Sequence, residues 1–225
     1  MERVTGAAPV ASALEARHWL APGILEVRLR RPAGFDFIPG QFARLVMDDY
    51  VRDYTMVSGP KDDSLVFCIA VVEKGRFSQK ILDSAVGTPF LLTGPHGHFV
   101  YQGTVNPPVF VATGTGIAPF AAFGRSGIGG DALLLHGAGS PDQLIYRDLL
   151  QTAVRNYVPC VSRPCAAGRL PADAFGGRVT RYLEQRLESG RYDFYLCGRR
   201  AMIRDATAII DRRFGQSRLF IETYD

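Results

Sequence analysis

Residues 109–120 carry types and spacing that suit chemistry. Val109-Phe110-Val111-Ala112 reads as a buried parallel strand. Thr113, Gly114, Thr115 and Gly116 break the run, and Ile117, Ala118, Phe120, Ala121, Ala122 and Phe123 resume at helical spacing. Pro119 falls near the start of that helix, where a missing N–H costs little. A strand, glycine loop and helix in succession turn backbone N–H groups and the positive end of a helix dipole toward a phosphate. The spacing is G-x-G-x-x-P rather than the full dinucleotide fingerprint. An ordinary tight turn that binds nothing is the other reading.

Two further groups lie upstream. In Arg52-Asp53-Tyr54-Thr55, a strand places residues 52 and 54 on one face and 53 and 55 on the other. A guanidinium suits bidentate phosphate contact and a phenol ring suits stacking on a planar ligand; a plain charged-aromatic strand surface is the alternative. Gly75 and Ser78 place backbone N–H groups at a helix start, a second candidate anion site, with Ser78 as the expected N-cap. Downstream, Ser162-Arg163 and Cys197-Gly198 each close a strand-like run.

The elements that position these residues fall into two regions. From Ala11 to Thr93, short runs of period two are punctuated by Ala21-Pro22-Gly23, Pro39-Gly40 and Gly59-Pro60, with a turn expected at Gly94–Phe99. That pattern suggests an antiparallel barrel or sandwich, interrupted by one helix over Gln79–Ser84 whose apolar face is Phe77, Ile81 and Leu82. Residues 1–9 are expected to fray, and Thr104–Pro108 reads as a linker. Beyond it, strands at 109–112, 132–136, 157–162, 192–197 and 218–222 alternate with helices at 117–123, 144–154, 178–188 and 199–214, around a loop at 164–177. Such alternation implies a parallel sheet, in which ligands sit beyond the carboxyl ends of the strands. Thr113–Gly116, Ser162-Arg163 and Cys197-Gly198 should therefore line one edge.

Composition bounds the possibilities. With 225 residues, 47% of them apolar, the chain is long enough for two small domains and a full core without staples. The formal charge of +4 comes with arginine far outnumbering lysine, but no basic tail or nucleic-acid motif is present. The four cysteines, Cys68, Cys160, Cys165 and Cys197, form no C-x-x-C, so neither a zinc ribbon nor a sulfur-ligated cluster is supported, and Cys160 and Cys165 take no assigned role. His96 and His98 sit beside glycine in a turn without a third ligand nearby, so no metal is expected. No run is long enough to span a bilayer and no signal peptide is evident, so a soluble cytoplasmic protein with reduced thiols is expected.

R-x-Y-T, then G-x-x-S, then T-G-T-G-I-A-P and C-G, in this order from about residue 10 to 225, resemble the ferredoxin–NADP reductase superfamily. The resemblance implies two domains: an N-terminal antiparallel β-barrel binding FAD (residues 1–103) and a C-terminal α/β domain with a parallel sheet binding NAD(P) (residues 104–225). By that likeness Arg52 pairs with the FAD phosphates, Tyr54 packs on the isoalloxazine, Thr55 hydrogen-bonds near flavin N5, and Gly75 and Ser78 cradle the pyrophosphate. Thr113, Gly114, Thr115 and Gly116 meet the nicotinamide dinucleotide, while Cys197 and Gly198 lie beside the nicotinamide. The closing Phe220-Ile221-Glu222-Thr223-Tyr224-Asp225 is similar to the plant-type terminus, where a tyrosine covers the flavin and a glutamate aids proton and electron transfer; Asp225 lies one residue beyond that pattern. Thr55, Cys197, Glu222 and Tyr224 are thus the implied catalytic residues. Ser162, Arg163 and Arg178 match positions that hold the ribose phosphate in NADP-dependent relatives, which implies NADPH over NADH.

The implied activity is hydride transfer between NAD(P)H and FAD, with single electrons exchanged with a separate carrier protein: a ferredoxin, a flavodoxin or an oxygenase component. The alternatives are a reductase component of an oxygenase, a free-flavin or ferric reductase, and a nucleotide-sensing subunit without turnover.

Overall fold

The computed structural model describes residues 8–103, 105–163 and 170–224. Two compact units divide the chain at residue 100, Met1–Val100 and Tyr101–Asp225.

The first unit is an antiparallel sheet of β1 (Val10–Ala21), β2 (Ile24–Arg30), β3 (Phe42–Met47), β4 (Tyr50–Thr55), β5 (Ser64–Ala70) and β6 (Pro89–His96), with helix α1 (Arg76–Asp83) between β5 and β6. Strand order is β4-β3-β6-β1-β2-β5. The two edge strands meet where Met56 bridges Phe67 and Val57 N donates to Val66 O at 2.7 Å, closing the sheet into a barrel. Closure follows from the period-two pattern: Leu25, Val27 and Leu29 of β2, Ala43, Leu45 and Met47 of β3, and Leu65, Phe67 and Ile69 of β5 all point into one core.

Three expectations shift here. Helix α1 starts at Arg76 with Gly75 as its cap, not at Gln79 with Ser78 as cap. Ser78 lies inside the first turn, its hydroxyl donating to Gly75 O (3.1 Å) and accepting from Val72 N (3.2 Å). The earlier start sets Phe77 and Ile81 one turn apart on the buried face, and that burial decides the boundary. Strand β6 runs through Gly94-Pro95 to His96, because His96 still pairs with Phe42 of β3 where a turn is expected. The His96 ring hydrogen-bonds Thr93 Oγ1 at 3.0 Å, and no cluster of metal-ligating side chains occurs among the described residues.

The second unit is a parallel sheet of β7 (Pro108–Thr113), β8 (Leu133–Ala138), β9 (Asn156–Val161), β10 (Phe175–Gly176), β11 (Asp193–Arg199) and β12 (Arg218–Tyr224), ordered β10-β9-β8-β7-β11-β12. Helices α2 (Ala118–Arg125), α3 (Arg147–Ala153), α4 (Val179–Gln185) and α5 (Arg200–Arg213) connect them. Val109 through Ala112 are at most 1% exposed, since helices cover both faces of the central strand. Val109, Val111, Phe194 and Leu196 pack with Ile203, Ala206, Ile209 and Ile210 of α5. Phe110 packs within 5–6 Å of Phe120, Phe123 and Tyr195 through their ring centroids. Each such side chain contributes about 1.5–3 kcal/mol by burial. The exposed Arg212–Glu184 pair is worth about 0–1 kcal/mol, so burial sets this fold.

The expected loop at 164–177 carries the short strand β10, because Phe175 and Gly176 pair with Cys160 and Val161; residues 164–169, Cys165 included, lie outside the described residues. Helix α3 begins at Arg147 rather than Leu144, since Tyr146 takes a left-handed φ of 57° that interrupts the helix. Of the segment expected to fray, 1–9, residues 1–7 also lie outside them.

The linker is tied down at the amino end of the sheet. Asp193, completely buried, accepts hydrogen bonds from Val105 N (2.9 Å), Asn106 N (3.1 Å), Asn106 Nδ2 (3.0 Å), and Arg218 Nε (2.8 Å) and Nη2 (2.5 Å). These donors, Arg218 foremost, hold its carboxyl well below the usual carboxylate range. A depressed carboxyl stabilises the fold above its unfolded pKa of about 3.9 and loses that contribution as pH falls through the folded value. Asp193→Asn should therefore cost about 3 kcal/mol at pH 7. Urea unfolding at a series of pH values should show the gap to the parent narrowing below about pH 4.

Candidate functional site

The carboxyl edge of the parallel sheet gathers most of the sequence-derived candidates. After β7, one turn of 3-10 helix (Gly114–Ile117) leads directly into α2, with Pro119 in its first turn. Gly114 takes a left-handed φ of +58° with open space around it, and Gly116 is buried against the end of β11. A Cβ on Gly116 would lie 2.6 Å from both the Cys197 carbonyl carbon and Gly198 Cα. Gly198, at φ +146°, in turn packs against Thr113: a Cβ there would meet Thr113 Oγ1 and stand 3.0 Å from Thr113 O. Two strand ends touch backbone to backbone because glycine stands on each side. Beside this contact the buried Thr113 hydroxyl has no hydrogen-bond partner, a group that a ligand would satisfy.

Cys197, Glu222 and Tyr224 come together across β11 and β12, where Cys197 pairs with Glu222 and Arg199 with Tyr224. Burial pushes the Cys197 thiol well above its ordinary range, the Glu222 carboxylate adds to this, and a hydrogen bond from the Tyr224 hydroxyl opposes both. The thiol is therefore protonated at neutral pH. Asp225 lies outside the described residues.

Further along the same edge, Ser162 N and Arg163 N donate to Ala138 O (3.2 Å) and Gly139 O (3.0 Å), carrying the β8–β9 pairing past the strand ends. Gly177 N donates to Val161 O at 2.9 Å, carrying the β9–β10 pairing one residue further to Arg178, the residue before α4. Ser162, Arg163 and Arg178 are all exposed.

In the first unit, Tyr54 packs on Phe77 of α1 at a ring-centroid distance of 5.8 Å. Its phenol is pushed up to about 12 by burial, against the opposing charge of Arg52. Arg52 is exposed, its Nη1 donating to Val51 O at 2.7 Å, and Thr55 is buried. Gly75 heads α1 closely packed: a Cβ there would lie 2.8 Å from Ser78 Oγ and 2.9 Å from Val72 Cβ. Tyr54 and α1 thus meet through Phe77, while Arg52 shares the Tyr54 face of β4.

Two features escape the sequence. His136, completely buried in β8, accepts or donates at Nδ1 with the Tyr157 hydroxyl (2.8 Å), leaves Nε2 without a partner, and is pushed down to about 3 by burial with Arg147 adding to it. A histidine directly after the apolar run Ala132-Leu133-Leu134-Leu135 was the available signal. The other is Gly139, whose surroundings depend on a loop 24 residues away in sequence.

A closed antiparallel barrel followed by a parallel sheet with a glycine turn at its carboxyl edge defines a flavin-and-dinucleotide type of oxidoreductase architecture. Residues 22–101 match the oxidoreductase FAD-binding domain family and residues 110–208 the oxidoreductase NAD-binding domain family. The chain belongs to the ferredoxin–NADP reductase superfamily. It is 30% identical over 202 residues to the reductase component of the naphthalene 1,2-dioxygenase system of Pseudomonas putida, covering 86% of this chain and 61% of that protein. It is 34% identical over 162 residues to ferredoxin–NADP reductase B of Sorangium cellulosum, covering 66% of each. The chain spans 61%, 52% and 56% of the first three curated relatives it matches. In fold it superposes on a Neisseria gonorrhoeae ferredoxin NADP+ reductase with bound FAD and NADP at a TM-score of 0.82 and 20% identity, covering 96% of this chain and 99% of that one. Among the described residues, no helix is long and apolar enough to cross a membrane.

The backbone contact at Gly116 implies a stability order. Gly114→Ala should cost about 1 kcal/mol, the cost of a left-handed alanine in open space. Gly116→Ala should cost more, about 1–3 kcal/mol, because its Cβ meets backbone that can yield only by moving a strand end. Equilibrium urea unfolding of the two variants checks the order. Equal losses would show that the contact adds nothing to stability.

Proposed function

We propose that this chain exchanges hydride between NAD(P)H and bound FAD and passes single electrons to or from a separate carrier protein. The observation that carries the reading is the carboxyl edge of the parallel sheet. There the partnerless Thr113 hydroxyl, the open Gly114 and the closely packed Gly116 form a backbone turn suited to a nucleotide, in a chain whose other half matches the FAD-binding family.

The residues fit both groups. FAD supplies the conversion between two-electron and one-electron chemistry. Arg52 offers a charged fork to its phosphates, the first turn of α1 from Gly75 through Ser78 offers backbone N–H groups, and Tyr54, neutral to about pH 12, offers an uncharged ring. The buried Thr55 hydroxyl would supply a hydrogen bond to the flavin ring. In the second unit, Thr113–Gly116 holds the nucleotide, and the protonated Cys197 with Gly198 walls the nicotinamide without adding charge. Glu222 and Tyr224 control proton access and ring stacking. Alignment of donor and acceptor carries most of the rate.

Ser162, Arg163 and Arg178 select NADPH over NADH by holding the ribose phosphate, since exposed guanidinium groups at a strand end suit a dianion. The carrier is a ferredoxin, a flavodoxin or an oxygenase component, and the oxygenase-system relatives favour the last. Cys68, Cys160 and Cys197, all buried and none in a disulfide, suit a reducing compartment such as the cytoplasm.

Anaerobic titration of the purified protein with NADPH and with NADH tests this reading. The flavin absorbance should bleach with both and at lower NADPH concentration. A colourless protein that takes up no FAD would sink the proposal. Thr55→Ala should retain FAD and slow stopped-flow flavin reduction by about tenfold, the loss of one hydrogen bond to the reacting ring. An unchanged rate would remove Thr55 from the chemistry.

A further inference from the structure

Gly139 follows directly on the last residue of β8, Ala138, and the Arg163 side chain comes to rest on it. Arg163 N donates to Gly139 O at 3.0 Å, which lays the two loops side by side. A Cβ added to Gly139 would stand 2.7 Å from Arg163 Nη2, 3.6 Å from Arg163 Cζ and 2.8 Å from Gln143 Oε1. Any side chain at 139 therefore competes with the guanidinium for the same space. The need for glycine is not conformational, because Gly139 is absent from the residues with positive φ. Both competing atoms are the far ends of long side chains, so alanine is accommodated by swinging them away and the strands stay in place. Arg163 remains exposed on this seat, with its donors available to a ligand.

We propose that Gly139 is a specificity-determining residue: its missing side chain is the seat that holds the Arg163 guanidinium, flanked by Gln143, where it meets the ribose phosphate of NADPH. The inference rests on the NADPH reading above and adds the residue that sets where Arg163 lies. An unseated arginine keeps its charge but must give up more rotamer freedom on binding, so affinity falls without loss of a donor.

The test uses the FAD-loaded full chain and compares NADP+ and NAD+ binding by titration calorimetry for the parent, Gly139→Ala, Arg163→Ala and the double variant, with thermal unfolding alongside. Arg163→Ala should weaken NADP+ by roughly tenfold, the loss of a charge-assisted hydrogen bond, and lower the NADP+/NAD+ affinity ratio to match. Gly139→Ala should lower that ratio by roughly threefold at an unchanged melting temperature, and the double variant should equal Arg163→Ala alone, because the two act through one group. If Arg163→Ala leaves the ratio untouched, the NADPH reading falls and the seat with it. If Arg163→Ala lowers the ratio and Gly139→Ala does not, the seat alone is overturned. A Gly139→Ala loss that persists in the Arg163→Ala background, or one that weakens both nucleotides equally with a lowered melting temperature, also overturns it.

Discussion

The second unit depends on one close approach. The turn after β7 lies directly on the end of β11, with Gly116 against the Cys197 carbonyl and Gly198 against Thr113. Neither position has room for a methyl group. This contact places the first turn of helix beyond β7 over the end of β11 rather than leaving it to splay outward. It also leaves the Thr113 hydroxyl buried without a partner, a cost of about 1–3 kcal/mol in the ligand-free molecule. That cost falls in the turn to which nucleotide binding is assigned in the proposed function.

The opposite end of the same sheet is organised by charge rather than by absence of side chains. Asp193 opens β11, gathers donors from residues 105 and 106, and takes the fork of Arg218 at the start of β12. Buried, with every donor in place, it fixes the relative register of the linker and the two strands. Because all the strands are parallel, a register held at the amino end is delivered at the carboxyl end. There it brings Cys197 level with Glu222 and Arg199 level with Tyr224. The Cys197 thiol lies under this pairing, buried and protonated, with acid and phenol beside it. The remaining strand ends reach the same edge through β8 and β9, where Gly139, Ser162 and Arg163 continue the ladder beyond the last paired residues.

In the first unit a small helix does comparable positioning. Helix α1 packs Phe77 and Ile81 into the barrel core and sets Phe77 against Tyr54. Its first turn is held by Ser78, whose hydroxyl links the Gly75 carbonyl to the Val72 amide. Ser78 therefore braces the loop ahead of the helix, a different duty from capping. The distinction turns on where the apolar face begins, and Phe77 begins it one turn earlier than a cap at Ser78 allows.

The local patterns were legible in the sequence. Period-two runs marked the barrel strands, the unbroken Val109–Ala112 marked a strand covered on both faces, and glycine and proline marked the turn and the helix that follow. From these came two units, one antiparallel and one parallel, and the gathering of Thr113–Gly116, Ser162-Arg163 and Cys197-Gly198 on one edge. Boundaries set by long-range pairing were not legible: His96 stays in strand because Phe42 pairs with it, Phe175 and Gly176 become strand because β9 has a free side, and Val105 and Asn106 are anchored because Asp193 lies folded beneath them. Gly139 could not be singled out from its neighbours, since what makes it matter is an arginine from another loop resting on it. The sequence by itself determined element types and the side of the sheet on which chemistry would fall, because periodicity and turn propensity are local. Tertiary structure alone decided which backbones touch, which hydroxyl is left unpartnered and where each guanidinium rests, because those depend on packing between segments far apart in the chain.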